Sequence, residues 1–147
     1  MNSKDSVRDF WDQASCGESL YLNSCDPAGY RTQAKQRYLL EGWMIFPFAK
    51  FHQTRALNVL EIGVGLGADH QQFAQAGAKL SGIDLTHRSV DHTRTRLKLF
   101  GLHSDLSVGD AENLPFEDNS FDIVYSWGVL HHSPDTQTAI NEVFRVL

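Results

Sequence analysis

The chain has 147 residues, of which 41% are hydrophobic and 21% charged, as in one ordinary globular domain with a real core. This composition excludes fibrous, collagen-like and disordered proteins. The net charge of −5 is unevenly divided, because residues 1–56 carry seven Lys/Arg and six Asp/Glu, whereas residues 57–147 carry six and twelve. Neither part offers the basic surface that nucleic acid or an anionic membrane would need.

The N-terminal residues and the two cysteines indicate a cellular compartment. The segment MNSKDSVRDF lacks the apolar run of a signal peptide, and no stretch approaches the ~20 apolar residues of a membrane span. Cys16 and Cys25 have no C-x-x-C spacing, and no Cys/His cluster would complete a zinc site. We therefore predict free thiols, no metal and a cytoplasmic location.

Residues 1–56 are rich in aromatic side chains and lack the Val/Ile runs of buried strands. Apolar residues spaced by three and four predict a short helix within residues 4–15. A loop over residues 16–29 is expected to lead into a second helix over residues 30–46, which ends near Pro47. The sequence thus predicts a helical cap at the N-terminus.

From residue 57 onward, short apolar runs alternate with amphipathic stretches, which is typical of βαβ units and a parallel sheet. We predict an α/β fold in which the helical cap, residues 1–56, precedes a sheet-containing unit, residues 57–147. The predicted elements of that unit are strand 56–62, helix 67–77, strand 78–85, a helix between Thr86 and Gly101, strand 105–110, strand 120–127 and helix 135–147.

The strongest chemical signal is the glycine-rich segment VLEIGVGLGAD, residues 59–69. A strand runs into Gly63, Gly65 and Gly67 and then into a helix, which leaves bare backbone where a ligand must approach closely. Such a loop is typical of a nucleotide-cofactor site. The same letters also satisfy the dinucleotide pattern G-x-G-x-x-G/A, with Asp84 placed 21 residues after the first glycine. On the glycine-rich segment alone, NAD and S-adenosylmethionine (SAM) are both candidate cofactors.

Acidic residues at three successive strand ends distinguish the two cofactors. Glu61, just before the first glycine, would repel a pyrophosphate but attract the ammonium group of a methionine moiety. Asp84 suits the adjacent hydroxyls of a ribose, because a carboxylate accepts two hydrogen bonds. Asp110 can accept from an adenine amino group, while Ala111 offers a backbone donor to the ring. This set favours a cofactor that is cationic at one end and has no phosphate.

Four linked motifs resemble one family in their order and spacing. They are VLEIGVGLG, GIDLT, GDAENLPFEDNSFDIVYSWGVLHH and EVFRVL, and together they closely resemble the class I SAM-dependent methyltransferases. The similarity is greatest to small-molecule enzymes like those of quinone biosynthesis and covers residues 57–147. It implies a Rossmann-like, SAM-binding unit and methyl transfer to a small-molecule acceptor.

The resemblance also implies which residues contact the cofactor. The glycines would line its methionine part and Glu61 would hold its amino group, directly or through water. Leu85 would pack on the adenine, and Ser126 and Trp127 would close the floor beneath the sulfonium. The full set of predicted cofactor residues is Glu61, Gly63, Gly65, Gly67, Asp84, Leu85, Asp110, Ala111, Ser126 and Trp127.

The C-terminal end departs from that family. EVFRVL is normally followed there by a Pro-Gly-Gly turn and three further strands, whereas this sequence ends at Leu147. We therefore expect a piece of a longer protein, incomplete in its substrate half. In the doubly wound strand order 3-2-1-4-5, the strand at 120–127 would become an edge, and its apolar side chains predict self-association there.

Two histidines and two tyrosines are candidates for contact with the acceptor. His131 and His132 follow the fourth strand, at the rim where open α/β folds keep their chemistry. His131 is predicted as a general base for the acceptor, with loop bracing as the alternative for both histidines. Tyr21 and Tyr30 are predicted to form a lid over the site, whereas the spacing of Trp11 assigns it to packing.

The sequence thus predicts a SAM-dependent methyltransferase that acts on a small molecule. Because the sulfonium makes the methyl group electrophilic, the protein has mainly to align the acceptor and exclude water. Two alternatives stay open. One is a nicotinamide-dependent oxidoreductase, which would not need Glu61 and Asp110, and the other is a non-catalytic cofactor-binding fragment or partner subunit.

Overall fold

Four parallel strands form the centre of the molecule, in a computed structural model that describes residues 3–147. They are β1 (Asn58–Ile62), β2 (Lys79–Asp84), β3 (Asp105–Val108) and β4 (Ile123–Tyr125). Their order is β3-β2-β1-β4, and Leu60 of β1 lies between Ser81 of β2 and Val124 of β4. The predicted α/β class, parallel pairing and 3-2-1-4 order are confirmed.

The described residues form six α-helices. They are α1 (Lys4–Gln13), α2 (Glu18–Tyr21), α3 (Pro27–Ala49), α4 (Ala68–Ala76), α5 (His87–Leu99) and α6 (Thr136–Val146). The first three make up the predicted N-terminal helical extension. Within residues 3–147, no helix combines the length and the apolar character needed to cross a membrane.

Polar residues fix the starts of four helices. The side chains of Ser3, Asp26, Thr86 and Asp135 each accept a hydrogen bond from the backbone N–H three residues further on. Such caps satisfy amide groups that have no partner within the helix, and each contributes about 0.5–2 kcal/mol. These four residues therefore set where α1, α3, α5 and α6 begin.

Helix α3 extends beyond the predicted 30–46 at both ends. Asp26 and Pro27, expected in the preceding loop, start the helix, because proline needs no hydrogen-bond partner in a first turn. Pro47 does not end it. Proline removes one backbone hydrogen bond, and at this position the helix runs only two residues further, to Ala49, so the loss is tolerated.

Strand β4 is shorter than the predicted strand over residues 120–127. The N–H groups of Ser120 and Phe121 donate to the carbonyl of Val146, at 2.8 and 3.0 Å, so these residues turn against the end of α6. Within residues 3–147 no strand pairs with β4 on the side away from β1. That edge therefore presents backbone groups without a strand partner in the described chain.

Two hydrophobic clusters cover the two faces of the sheet. Because side chains alternate along a strand, Val59 of β1 packs in one cluster and Leu60 in the other. The first cluster includes Phe51 and Phe73, whose ring centroids are 4.7 Å apart, together with Ile45 of α3. Helix α3 thus packs in the same core as the sheet, and this core contains residues from both sides of position 56.

Candidate functional site

A cavity of about 270 Å³ opens at the carboxyl ends of the strands, where open α/β sheets bind their ligands. The glycine-rich loop after β1 forms one wall, the ends of β2 and β3 form another, and α1 lies across the opening. Nine of the ten predicted cofactor residues line it: Glu61, Gly63, Gly65, Gly67, Asp84, Leu85, Asp110, Ala111 and Trp127.

The three loop glycines have positive φ angles but meet different surroundings. A Cβ at Gly63 would lie 2.2 Å from Val129, and one at Gly67 would lie 2.7 Å from Thr93. These two glycines are required by packing within the protein. Among residues 3–147, no atom lies within 4 Å of the position that a Cβ at Gly65 would take, although the residue lines the cavity. The expectation that a ligand needs bare backbone therefore applies to Gly65 and not to the other two.

Asp84 holds the shape of the glycine loop. Its Oδ2 accepts from the N–H of Gly65 at 3.1 Å, and its Oδ1 accepts from the N–H and hydroxyl of Thr86 at 3.0 and 2.9 Å. Burial raises the pKa of Asp84 above its ordinary value. Because a carboxylate has about four acceptor sites, it retains capacity for a ligand hydroxyl.

Glu61 lines the cavity and also contacts a buried histidine that the sequence analysis did not select. Glu61 Oε2 is 2.8 Å from His70 Nδ1, in the first turn of α4. Burial, followed by the nearby Asp69 carboxylate, raises the pKa of Glu61 well above its ordinary value. Burial lowers the pKa of His70. Both shifts favour an uncharged pair.

Asp69 is a second buried acid that the sequence analysis missed. It accepts hydrogen bonds from the guanidinium of Arg37, the hydroxyl of Tyr38 at 2.9 Å and the hydroxyl of Tyr125 at 2.8 Å. Burial, and then the Asp69 charge, raise the pKa of both tyrosines, which therefore stay protonated donors. The sequence signal that could have identified Asp69 is its position in the first turn of α4, directly after the last loop glycine. Loss of Asp69 would leave Arg37 with its contact to Glu41, at 3.3 Å, and would remove the acceptor of both tyrosine hydroxyls.

Helix α1 supplies the cover of the cavity. Val7 and Trp11 line it, and the Trp11 ring lies 5.3 Å from the ring of His132. Lys4 joins the helix to the opposite rim through Asp110, at 2.7 Å, and Glu112, at 2.5 Å. Trp11, which the sequence analysis assigned to packing, therefore faces the cavity.

The two tyrosines predicted as a lid do not line the cavity. Tyr30 lies within α3 and is fully buried, and its hydroxyl is 3.0 Å from His92 Nδ1. Tyr21 ends the short helix α2. The sequence placed Tyr21 in a loop and Tyr30 at the start of the second helix, whereas Tyr21 lies in α2 and Tyr30 within α3, and these helices direct neither residue to the cavity.

The structure separates the two adjacent histidines. His132 lines the cavity, whereas His131 does not, although their rings are only 3.9 Å apart. Burial, and then His131, lower the pKa of His132 below its ordinary value. The predicted base, His131, thus lies outside the cavity, and the neighbouring His132 lies where His131 was expected.

Of the two residues predicted to form the floor, only Trp127 lines the cavity. Its indole N–H donates to Glu41 at 3.2 Å. Ser126 instead donates its hydroxyl to the carbonyl of Ile62 at 3.0 Å and so ties the end of β4 to β1. Ser126 therefore supports the floor from behind.

The wall of the cavity is strongly acidic. Arg37 and Lys4 are its Lys/Arg residues, and its acidic residues are Glu41, Glu61, Asp69, Asp84, Asp110 and Glu112. Such a wall suits a ligand with a positive group and disfavours a pyrophosphate. Among residues 3–147, no three His, Cys, Asp or Glu side chains are grouped to hold a metal ion. The fold and the site together define a Rossmann-like protein with an acid-lined cavity at the carboxyl ends of its strands.

Residues 60–147 match the protein family described as "Methyltransferase domain". This match covers more than half of the chain, and the chain belongs to this methyltransferase family. The resemblance seen in the sequence motifs is confirmed. A nicotinamide-dependent oxidoreductase is not supported.

Curated relatives share this family but differ in their named substrates. Phosphoethanolamine N-methyltransferase 2 of Caenorhabditis elegans is 31% identical over 86% of this chain, which covers 27% of that protein. Phthiotriol/phenolphthiotriol dimycocerosates methyltransferase of Mycobacterium tuberculosis is 40% identical over 61% of this chain, which covers 33% of it. The chain thus spans about a third or less of the length of these relatives.

A solved structure shows the same architecture. A SAM-dependent methyltransferase from Methanosarcina mazei superimposes with a TM-score of 0.62 and 29% identity. The alignment covers 69% of this chain and 52% of that one. The similarity in fold therefore extends over most of the chain described here.

Proposed function

We propose that this protein binds SAM and transfers its methyl group to a small-molecule acceptor. The observation that carries the proposal is the open space at Gly65 within an acid-lined cavity of a methyltransferase-family sheet. The space admits a ligand close to the backbone, and the acids suit a cationic one. The relatives named above are methyltransferases, which agrees with the proposal.

Each wall of the cavity suits one part of the cofactor. Glu61 would hold the ammonium group, Asp84 a ribose hydroxyl, and Asp110 the adenine amino group. Leu85 and Ala111 supply apolar surface for the adenine ring. We propose these five residues, with the loop glycines, as the cofactor site.

The chemistry supplied by the bound cofactor is an electrophilic methyl group on a sulfonium. The protein's own task is to exclude water and to position the acceptor. Val7 and Trp11 of α1 place apolar surface over the cavity. His132, whose lowered pKa keeps it neutral near pH 7, can accept a proton from an acceptor hydroxyl or amine. We therefore propose His132 as the candidate base.

The cellular location and the division of the chain are also proposals. Cys16 and Cys25 are exposed free thiols, which suits a reducing compartment, and we propose the cytoplasm. We further propose that residues 1–56 act mainly in covering the site and residues 57–147 in binding the cofactor. The contacts of α1 with the cavity rim support this division of roles.

Calorimetry with S-adenosylhomocysteine, the demethylated product of SAM, tests cofactor binding. We expect saturable binding of this ligand and none of NAD. A Gly65→Asn variant should abolish binding, because its side chain would project into the open space of the cavity. Gly101→Asn is the matched control. Gly101 also has a positive φ and, within the described residues 3–147, no atom within 4 Å of the position of an added Cβ, but it lies outside the cavity. Tight NAD binding, without binding of the demethylated product, would overturn the assignment.

Methyl transfer needs a separate test, because a non-catalytic cofactor-binding protein would pass the first one. Methyl-labelled SAM is incubated with the protein and panels of small amines, phenols and acidic-carbon compounds. We expect label in an acceptor, and less label with His132→Phe than with His131→Phe. Label confined to SAM across all panels would favour the non-catalytic alternative.

A further inference from the structure

Three hydrogen-bonded side chains connect the cavity with the outside of the protein. Glu61 Oε2 is 2.8 Å from His70 Nδ1, and His70 Nε2 is 2.8 Å from the hydroxyl of Ser104. Ser104 donates in turn to the carbonyl of Leu80 at 2.9 Å. Glu61 is 4% exposed and His70 is fully buried, whereas Ser104 is partly exposed. The series therefore runs from a ligand-facing acid to solvent.

The hydrogen bonds fix where the protons lie. The Ser104 hydroxyl has one hydrogen, which it gives to the Leu80 carbonyl, so His70 Nε2 must supply the hydrogen that joins it to Ser104. A neutral His70 then has a bare Nδ1, which can only accept. Glu61 must therefore be the donor in the first bond, as a protonated carboxylic acid. An uncharged pair is also the form that burial favours.

The charges around the pair act in the same direction. Asp69 and Asp84 face Glu61 and disfavour a third negative charge, and Arg37 is largely engaged by Asp69. The other titratable and charged groups nearby are Tyr38 and Tyr125 on Asp69, and Arg94, Lys98 and His103 in the shallow depression that Ser104 lines. A cation brought into the cavity next to Glu61 would reverse this preference.

We propose that Glu61, His70 and Ser104 form a relay that releases one proton when the ammonium group of the cofactor binds beside Glu61. The Glu61 proton passes to His70 Nδ1, the proton of His70 Nε2 passes to Ser104 Oγ, and the hydroxyl proton that Ser104 shared with the Leu80 carbonyl leaves to solvent. The Ser104 hydroxyl then donates to His70 Nε2 rather than to the Leu80 carbonyl. His70 thus changes from the Nε2–H to the Nδ1–H tautomer and stays neutral. This inference rests on the proposed binding of SAM, and it makes His70 a positioning residue for Glu61.

Nitrogen-15 NMR of the histidine side chains reads the tautomer directly. We expect His70 of the free protein to be neutral with its hydrogen on Nε2, and on Nδ1 once S-adenosylhomocysteine is bound. His70→Gln assigns the signal by its loss. An Nδ1–H tautomer in the free protein, or an imidazolium in the complex, would overturn the relay.

Calorimetry near pH 7 in buffers of different ionisation enthalpy counts the protons. We expect release of about one proton per S-adenosylhomocysteine bound. 5′-Methylthioadenosine, which keeps the adenine and ribose but lacks the amino-acid part, should bind without release. Glu61→Gln imitates the protonated acid, so it should release none, bind S-adenosylhomocysteine about tenfold or more weakly and bind 5′-methylthioadenosine within about twofold of the unmodified protein.

The outcomes separate the two proposals. Binding of S-adenosylhomocysteine with no proton release contradicts the relay and leaves the proposed function intact. Equal release with 5′-methylthioadenosine also contradicts it, because the amino group would then play no part. Failure of both ligands to bind contradicts the proposed function, and the relay with it.

Discussion

Lys4 and Asp110 are 106 positions apart in the chain, yet Lys4 Nζ lies 2.7 Å from the Asp110 carboxylate. Lys4 is the first residue of α1, and Asp110 follows β3 at the rim of the cavity. Lys4 also pairs with Glu112. One side chain thus fixes the covering helix to the residue that we propose as the adenine contact.

We expect Lys4→Met to loosen α1 without unfolding the protein. The variant removes the pairs of Lys4 with both Asp110 and Glu112. Because the Lys4 side chain is partly exposed, each pair should contribute about 0.2–1 kcal/mol, so opening of α1 should rise about two- to thirtyfold. Hydrogen exchange of the α1 amides measures this. Arg8→Met is the matched control, because in the described part of the chain, residues 3–147, Arg8 pairs only within α1, with Asp5 and Asp9. Equal exchange rates in the two variants would show that the Lys4 ion pairs do not hold the helix.

We expect Asp84→Ala to weaken binding of S-adenosylhomocysteine about ten- to a hundredfold, equivalent to about 1.5–3 kcal/mol. The variant removes a proposed ribose acceptor and also the group that holds the Gly65 N–H. Calorimetry gives the affinity, and thermal unfolding reports the loss of the loop contact. Asp91→Ala, which removes an exposed acid paired within α5, should leave both unchanged. Unchanged affinity in Asp84→Ala would exclude Asp84 from the site.

The buried pair of Glu61 and His70 should give the protein a distinct pH profile. In the folded state the pair holds one proton, since burial raises the pKa of Glu61 and lowers that of His70. In the unfolded chain it holds two protons below about pH 4.5, one between about 4.5 and 6.5, and none above. The pair's contribution should therefore be constant between these values and fall on either side, by up to about 1.4 kcal/mol per pH unit.

Urea unfolding from pH 4 to pH 8 measures that profile. Above about pH 6.5 the folded state binds more protons than the unfolded state, so stability should fall as the pH rises. Glu61→Gln cannot lose the proton, and we expect this alkaline decline to be absent from it. Parallel curves for the variant and the unmodified protein would mean that Glu61 is already ionised in the folded state.

We expect the chain to self-associate through the open edge of β4. Exposed aromatic side chains on both neighbouring helices widen this apolar surface, namely Phe48 of α3 (63% exposed) and Phe144 of α6 (74%). Replacing both by Glu should shift the protein toward monomer in light scattering over a range of concentrations. Leu20→Glu, at a residue 75% exposed on α2, is the control. A monodisperse monomer of the unmodified chain would contradict this expectation.

Much of the fold was predictable because local signals and periodicity agreed with it. The Thr86 cap, the glycine that ends α4 and the apolar runs placed the central strands and helices correctly. The length of β4 was not predictable, because residues 120–121 bond to the carbonyl of Val146, a contact that apolar alternation does not encode. Pro47 was misread since its effect depends on how far the helix continues.

The candidate site was predictable where a residue sits at a strand end and not where it depends on packing. Asp84 and Asp110 come to the cavity because parallel strands end together. Asp69 gains its role only when Tyr125 of β4 and Arg37 of α3 converge on it. Tyr30 was expected at the cavity but is buried in the protein, and Trp11 was expected in packing but lines the cavity. The orientation of the helices decides which aromatic ring faces the cavity, and the sequence does not encode it locally.

The convergence on Asp69 limits how this protein can be recombined with its relatives. Arg37 and Tyr38 lie before residue 57, and Asp69 and Tyr125 after it, so a crossover at that boundary would divide a single buried network. A chimera that receives foreign N-terminal helices would keep Tyr125 as a donor to Asp69 but lose Arg37 and Tyr38, unless the new segment brought an arginine and a tyrosine in the same register. When directed evolution is used to change the preferred acceptor, α1 can therefore be replaced, whereas α3 has to be kept together with the sheet.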